Sequence, residues 1–236
     1  MGDYLERTKR IFGETAVEAL QTCHVAVFGL GGVGGFAAEA LVRSGIGHIS
    51  VFDADAIHES NLNRQILALR STLGQKKTDA FKARALDINP DVLVETNPLF
   101  FLPENADTVD FKAFDYVIDA IDTVSAKVEL VKRSAANGVP IISAMGTGNK
   151  CHPELLEVSD IYKTAVCPLA RVMRQALRKE HIQHLKVVYS KEQPIVQPTE
   201  GERKPPIGSN AFVPATAGLL LASTVVQDLL EMNRTK

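Results

Sequence analysis

The sequence predicts a doubly wound α/β fold, a mostly parallel sheet with helices on both faces. Three observations point there. Short, nearly all-apolar runs recur through the first 150 residues. Stretches with helical spacing separate them, and Gly, Pro and Asn mark the joins. Strands that are apolar throughout, not alternately, are buried on both faces, as crossover helices in a parallel sheet require.

The elements follow in order. Residues 24–28 (HVAVF) read as a strand and 33–44 as a helix ended by Gly45. Residues 48–53 are a second strand. A helix over 76–87 stops before Asn89-Pro90, because the residue preceding proline is pushed out of helical space. Residues 93–97, 116–121 and 139–144 give three more strands, the last two joined by a helix over 125–137. After Gly146 the pattern changes. A short strand over 155–158, a helix over 168–180 with Pro168 in its first turn and a strand over 185–190 are expected. Residues 191–210, rich in Pro, Gly, Glu and Lys, predict a mobile loop, and 215–232 a final packed helix. The expected organisation is a core over 1–150 with a C-terminal extension lobe over 151–236 built on the same sheet.

Composition narrows the function classes. The chain has 236 residues, 45% of them hydrophobic, enough for a substantial core without staples. Cys23, Cys151 and Cys167 are odd in number and form no C-x-x-C pair, which disfavours a disulfide framework and a cysteine-rich zinc site. The formal net charge is −2, so bulk charge does not announce a nucleic-acid binder. The opening MGDYLERTKR is too polar for a signal peptide. The apolar run 211–226 is shorter than the ~20 residues of a spanning helix and contains Pro214 and Gly218. A cytoplasmic protein with no membrane span is expected.

Between the first strand and its helix lies Gly29-Leu-Gly31-Gly32-Val-Gly34. Gly29 allows a tight turn, Gly31 admits backbone N–H groups to a phosphate, and Gly34 lets helix and strand pack closely. Asp53 ends the second strand about 20 residues on, where an acid bonds a ribose hydroxyl. The arrangement is Rossmann-like and predicts a nucleotide. A glycine turn that only packs leaves Asp53 unexplained.

Three further runs separate an ATP user from a nicotinamide dehydrogenase. In Ser60-Asn61-Leu62-Asn63-Arg64-Gln65, the Arg64 guanidinium suits a polyphosphate and the amides suit phosphate oxygens or loop fixing. A plain polar turn accounts for Ser60 and Asn61 but less well for Arg64 and Gln65. In Gly74-Gln-Lys76-Lys77, a helix start can aim a lysine at the sheet's carboxyl edge; solvation is the competing reading, stronger for Lys76. Asp119 and Asp122 end the fourth strand, where a carboxylate near phosphates is a typical Mg²⁺ ligand. An N-cap role competes for Asp122.

Taken in order, GLGGVG, DAD, SNLNRQ, GQKK and DAIDT resemble the adenylating enzymes that activate ubiquitin-like proteins, over about residues 7–150. RTKRIFGETAVEAL, SGIGHISVFDAD, LNRQILALRSTLGQKK and VSDIYKTAVCPLARVMR are similar to one branch, the tRNA threonylcarbamoyladenosine dehydratases. The resemblance implies ATP and Mg²⁺, with Asp53 and Asp55 of the DAD run at the nucleotide. Asn61, Asn63, Arg64, Gln65 and Lys77 would lie at the phosphates and Asp122 at Mg²⁺. It implies a homodimer in which an N-terminal arginine reaches the partner's γ-phosphate, Arg7 or alternatively Arg10. It implies carboxylate adenylation with release of pyrophosphate, then ring closure on a tRNA carrying threonylcarbamoyladenosine. Some relatives also work with a sulfur-transfer protein.

Two readings of Cys167 stand beside this, a nucleophile at a helix start or a small N-cap or core residue. From Lys163 to Lys186 six cations face Glu180 alone. Arg171, Arg174 and Arg178 share one helix face, with Lys179 adjacent, and suit tRNA phosphates; a solvated face is the alternative. Leu169, Val172, Met173 and Leu177 are expected to face the core. Rival functions are activation of a sulfur-carrier protein at its C-terminal Gly, an NAD-dependent oxidoreductase, and a nucleotide-sensing module without catalysis.

Overall fold

A computed structural model describes residues 3–195 and 207–234. Two short helices open it, α1 (Glu6–Phe12) and α2 (Glu14–Gln21). Periodicity does not reveal them, because each makes only about two turns and Gly13, at φ 91°, separates them. Seven strands follow: β1 (His24–Phe28), β2 (His48–Phe52), β3 (Leu93–Asn97), β4 (Tyr116–Asp119), β5 (Ile141–Ala144), β6 (Leu156–Asp160) and β7 (Lys186–Ser190). They form one sheet in the order β3-β2-β1-β4-β5-β7-β6. Every pairing is parallel except β6 with β7.

The larger helices are α3 (Gly34–Arg43), α4 (Lys77–Ile88), α5 (Val124–Asn137), α6 (Pro168–Lys179) and α7 (Val213–Arg234). β4 is two residues shorter than expected: the Ile121 N–H bonds the Asp119 carboxylate at 3.3 Å and turns the chain out of the ladder. The chain builds outward from β1 through β2 to β3, then returns to lay β4 and β5 on the other side. A crevice opens over the carboxyl ends where the direction reverses, the usual ligand position in open α/β sheets.

Both faces of the sheet are covered. Val27, Leu41, Ile49 and Leu221 pack on one side, and Phe28, Phe52, Phe101 and Phe111 on the other. A third cluster, including Met145, Met173 and Val187, joins α6 to β7. Helix α7 begins earlier than expected, at Val213, and runs 22 residues. It is long and apolar enough to cross a membrane, so the length argument against a span does not hold. Packing decides instead: Val213, Ala217, Leu221 and Val225 are all fully buried. A Cβ on Gly218 would lie 2.3 Å from the Val33 carbonyl oxygen, so that glycine lets α7 lie directly against the start of α3. Of the loop expected over 191–210, residues 196–206 lie outside the described residues; 191–195 and 207–210 hold no helix or strand.

Candidate active site

A cavity of about 710 Å³ opens over the ends of β1, β2, β4 and β5. The glycine loop forms its floor. Gly29 has φ 90°, and a Cβ there would sit 2.8 Å from the Ala120 carbonyl oxygen. A Cβ on Gly34 would sit 1.7 Å from the Gly29 oxygen. These two glycines are needed for packing. Gly31 differs: a Cβ there would meet nothing closer than 3.9 Å, so its face stays open to the cavity. Gly32 also lines the cavity, close to Pro214.

The end of β2 supplies a fixed acid. Asp53 accepts the Leu30 N–H at 2.7 Å and the Asp55 N–H at 2.9 Å, so its carboxylate is oriented before any ligand arrives. Lys77 is 4% exposed and opens α4. Its ammonium lies 2.6 Å from Asp55 and 3.4 Å from Asp53, inside the cavity wall. Lys76, by contrast, is exposed to solvent. The two lysines divide at the helix start: Lys76 is the extended N-cap residue, and Lys77 is the first residue of α4.

The SNLNRQ run wraps the same cavity. Arg64 donates to the Ser60 carbonyl and to Asn63 Oδ1, each at 2.9 Å, through a single guanidinium nitrogen. Its remaining N–H groups have no partner among the described residues. Gln65 is buried, and its Oε1 has no hydrogen-bond partner among the described residues. Asn61 lines the cavity but spends its Oδ1 on the His58 N–H. Asn63 does not line the cavity; it donates to the Ser209 carbonyl and ties the run to the segment before α7.

The two acids after β4 separate. Both were expected at the ligand edge, but Asp119 is fully buried, 2.9 Å from the equally buried Lys127 and bonded to Ser143. It is structural. Asp122 is exposed, lines the cavity and has no partner among the described residues. It is not a helix cap either: Thr123 holds the N-cap position of α5. An unengaged carboxylate beside open phosphate space suits a hydrated Mg²⁺, which is commonly held by one or two carboxylates plus phosphate oxygens.

Other expected residues are placed differently. Arg7 is exposed on α1, away from the cavity and unpaired among the described residues; Arg10 pairs with Glu6. On α6, Arg171 and Lys179 are exposed. Arg174 is half-buried and donates to Thr164, at 3.1 Å to its carbonyl, so it holds a loop. Arg178 lies over the Tyr162 ring at 5.5 Å. Val172, expected in the core, is 42% exposed, and Ala170 takes the inward position. Cys167 holds the N-cap position of α6 without a side-chain cap bond; it is buried and lines the cavity.

Sequence reasoning missed Lys150. It is 3% exposed, lines the cavity from the β5 side and donates to the Gly146 carbonyl at 2.8 Å. Burial pushes its ammonium below the usual lysine range, against the opposing influence of Cys167 and Glu192. The signal was present: Gly146-Thr-Gly-Asn-Lys150 follows a strand end much as Gly74-Gln-Lys-Lys77 precedes a helix.

Known proteins match this chain over nearly its whole length. The tRNA threonylcarbamoyladenosine dehydratase of Bacillus subtilis (strain 168) is 42% identical, covering 98% of this chain and 97% of its own. Crystal structures of the Escherichia coli tRNA N6-threonylcarbamoyladenosine dehydratase, TcdA, also match over nearly their whole length. The complex with AMP has a TM-score of 0.90 at 32% identity, covering 98% of this chain and 95% of its own. The complex with ATP has a TM-score of 0.89 at 31% identity, covering 99% and 96%. The model of the ThiF family matches residues 5–235, and the chain belongs to that family.

Proposed function

We propose that this chain is an ATP-dependent tRNA threonylcarbamoyladenosine dehydratase. The observation that carries the reading is the enclosure of Asp53, Arg64, Lys77 and Asp122 in one cavity above the switch in strand order. A nicotinamide enzyme uses the glycine loop and Asp53 but leaves the other three idle. The dehydratase relatives above, similar along both full lengths, favour this substrate over a carrier protein.

ATP is a substrate in this reaction. Asp53, held by two backbone N–H groups, is placed to accept from the ribose hydroxyls. The threonyl carboxylate attacks the α-phosphate, pyrophosphate leaves, and an acyl-adenylate remains. Negative charge moves onto the leaving group. Arg64, with free N–H groups, and Lys77 are positioned to neutralise it. Lys77 rests on Asp55, which is exposed, so a phosphate can draw the ammonium away at small cost. Asp122 would hold Mg²⁺, which supplies charge neutralisation at the phosphates when bound. Ring closure then uses the carbamoyl group already on the substrate, expels AMP and needs no enzymic nucleophile. Buried Cys167 fits a core role.

The surface reading follows the same logic. Arg171 and Lys179 are the α6 cations free to meet tRNA phosphates, and Arg7 on exposed α1 is available to a second copy of the chain. The core over 1–150 carries the nucleotide residues, and the extension contributes the tRNA-facing helix. A cytoplasmic location accompanies a tRNA substrate. The test is incubation with ATP, Mg²⁺ and threonylcarbamoylated tRNA, followed by nucleoside mass analysis. Loss of one water from the modified nucleoside is expected. Turnover only with a carrier protein ending in Gly-Gly would replace this reading.

A further inference from the structure

Lys150 is a buried cation with no ion pair among the described residues, although the influence of Cys167 and Glu192 reaches it from a distance. No carboxylate lies within ion-pair distance of its ammonium among the described residues. The nearest acid in the loop, Glu192, is committed elsewhere: it accepts the Cys151 N–H at 2.8 and 3.1 Å and the His152 N–H at 2.9 Å. Lys150 itself gives one proton to the Gly146 carbonyl, and an ammonium has three. Among the described residues nothing takes the other two, which stand at the wall of an open cavity. A buried charge in this state is costly unless a ligand completes it.

Its place in the sheet says which ligand. Asp53 ends β2, the glycine loop follows β1, and Lys150 follows β5. In the strand order β2-β1-β4-β5, the end of β5 stands three strands from that of β2, ~14 Å away at ~4.8 Å per strand, and Lys150 lies on the cavity wall just beyond β5. A nucleotide running from Asp53 over the glycine loop leaves the space above β4 and β5 for the acyl partner. Arg64 and Lys77 already serve the nucleotide side.

We propose that Lys150 forms a carboxylate subsite, receiving the threonyl carboxylate of the substrate nucleoside and delivering it to the α-phosphate. This rests on the dehydratase reading above. An incoming carboxylate supplies the missing counter-charge, and its binding retains the ammonium in the protonated form against the effect of burial. Once the carboxylate has become an acyl-adenylate, its charge is gone and the contact weakens. Lys150 thus favours the reactant complex for adenylation and does not hold the acylated product.

The test uses the full-length enzyme saturated with a non-hydrolysable ATP analogue. The free nucleoside threonylcarbamoyladenosine and its carboxyl methyl ester are the probes, followed by calorimetry. Wild type should prefer the acid by about tenfold or more, the scale of a charged hydrogen-bonded contact. Lys150→Met should lose that preference, and Lys150→Arg should keep part of it, while both bind the ATP analogue as wild type does. Normal analogue binding also shows that the variants are folded. An undiminished acid preference in Lys150→Met overturns the subsite. So does a variant whose main loss is affinity for the ATP analogue, which would make the ligand a nucleotide phosphate. A wild-type enzyme that turns over no threonylcarbamoylated tRNA sinks the dehydratase reading and the subsite with it.

Discussion

Replacing Lys127 by Met removes a cation that the cavity never sees yet depends on. Lys127 and Asp119 are both fully buried, 2.9 Å apart. The ammonium also donates to the Ile121 carbonyl at 3.1 Å and the Ala144 carbonyl at 2.8 Å. Its three protons thus tie together the chain leaving β4 and the end of β5, on either side of the cavity. Lys127→Met strands the Asp119 carboxylate in the core, and breaking a buried pair by one partner costs about 3–5 kcal/mol. For a domain of this size, about 2–4 °C per kcal/mol converts that to a fall of roughly 6–20 °C in melting temperature. Adding Asp119→Asn removes the stranded charge and should recover much of the loss, although the two carbonyls remain unpaired. Thermal unfolding of wild type, both single variants and the double variant closes the cycle. A Lys127→Met protein within about 1 kcal/mol of wild type, below the cost of an uncompensated buried charge, would show that Lys127 and Asp119 are not a coupled ion pair. Asp122, three residues beyond the end of β4, should also lose position, so Mg²⁺ dependence of any residual activity should shift to higher concentration.

Three other outcomes are expected. Arg171→Glu with Lys179→Glu should weaken tRNA binding and lower the slope of log affinity against log salt by about 1–2, read by filter binding at several salt concentrations. Arg174→Glu should instead lower melting temperature, because Arg174 holds the Thr164 loop. Burial favours the neutral form of Glu39, but hydrogen bonds from Arg84 and Arg43 outweigh it and hold its carboxyl below the usual range. A depressed folded value means the stabilisation is present above the unfolded pKa and lost as pH falls through the folded one. Glu39→Gln should therefore cost about 1–2 kcal/mol at neutral pH, with the gap narrowing below pH ~4 in a denaturation series.

What the sequence makes legible is tied to local pattern. β1, β2 and the glycine loop follow from an apolar run, a fixed glycine spacing and an acid at a fixed distance, all short-range signals. Lys77 and Arg64 were visible as residue types, but their direction was not. Exposed Lys76 is the extended N-cap residue and buried Lys77 opens α4, and only the fold sets where that boundary falls. Asp119 and Asp122 look equivalent in DAID. The difference arises from Lys127, which reaches Asp119 from the next helix and consumes its charge. Arg174 was read with Arg171 and Arg178 because helix spacing places them on one face, but spacing cannot show that Thr164 lies within its reach. For Lys150 the Gly146-Thr-Gly-Asn-Lys150 run marks a loop at a strand end, but the burial of its ammonium without an ion pair among the described residues is a property of the folded surroundings.

If the SNLNRQ run, with Lys77 and Asp122, drives adenylation of a tRNA-borne carboxylate, ATP–pyrophosphate exchange should depend on threonylcarbamoylated tRNA and on Arg64. Exchange is expected in wild type, with a fall of about 10²–10³ in Arg64→Ala, the scale of losing one transition-state charge contact, and with melting temperature preserved. Wild-type exchange in folded Arg64→Ala, or exchange that proceeds without the modified tRNA, would contradict that expectation.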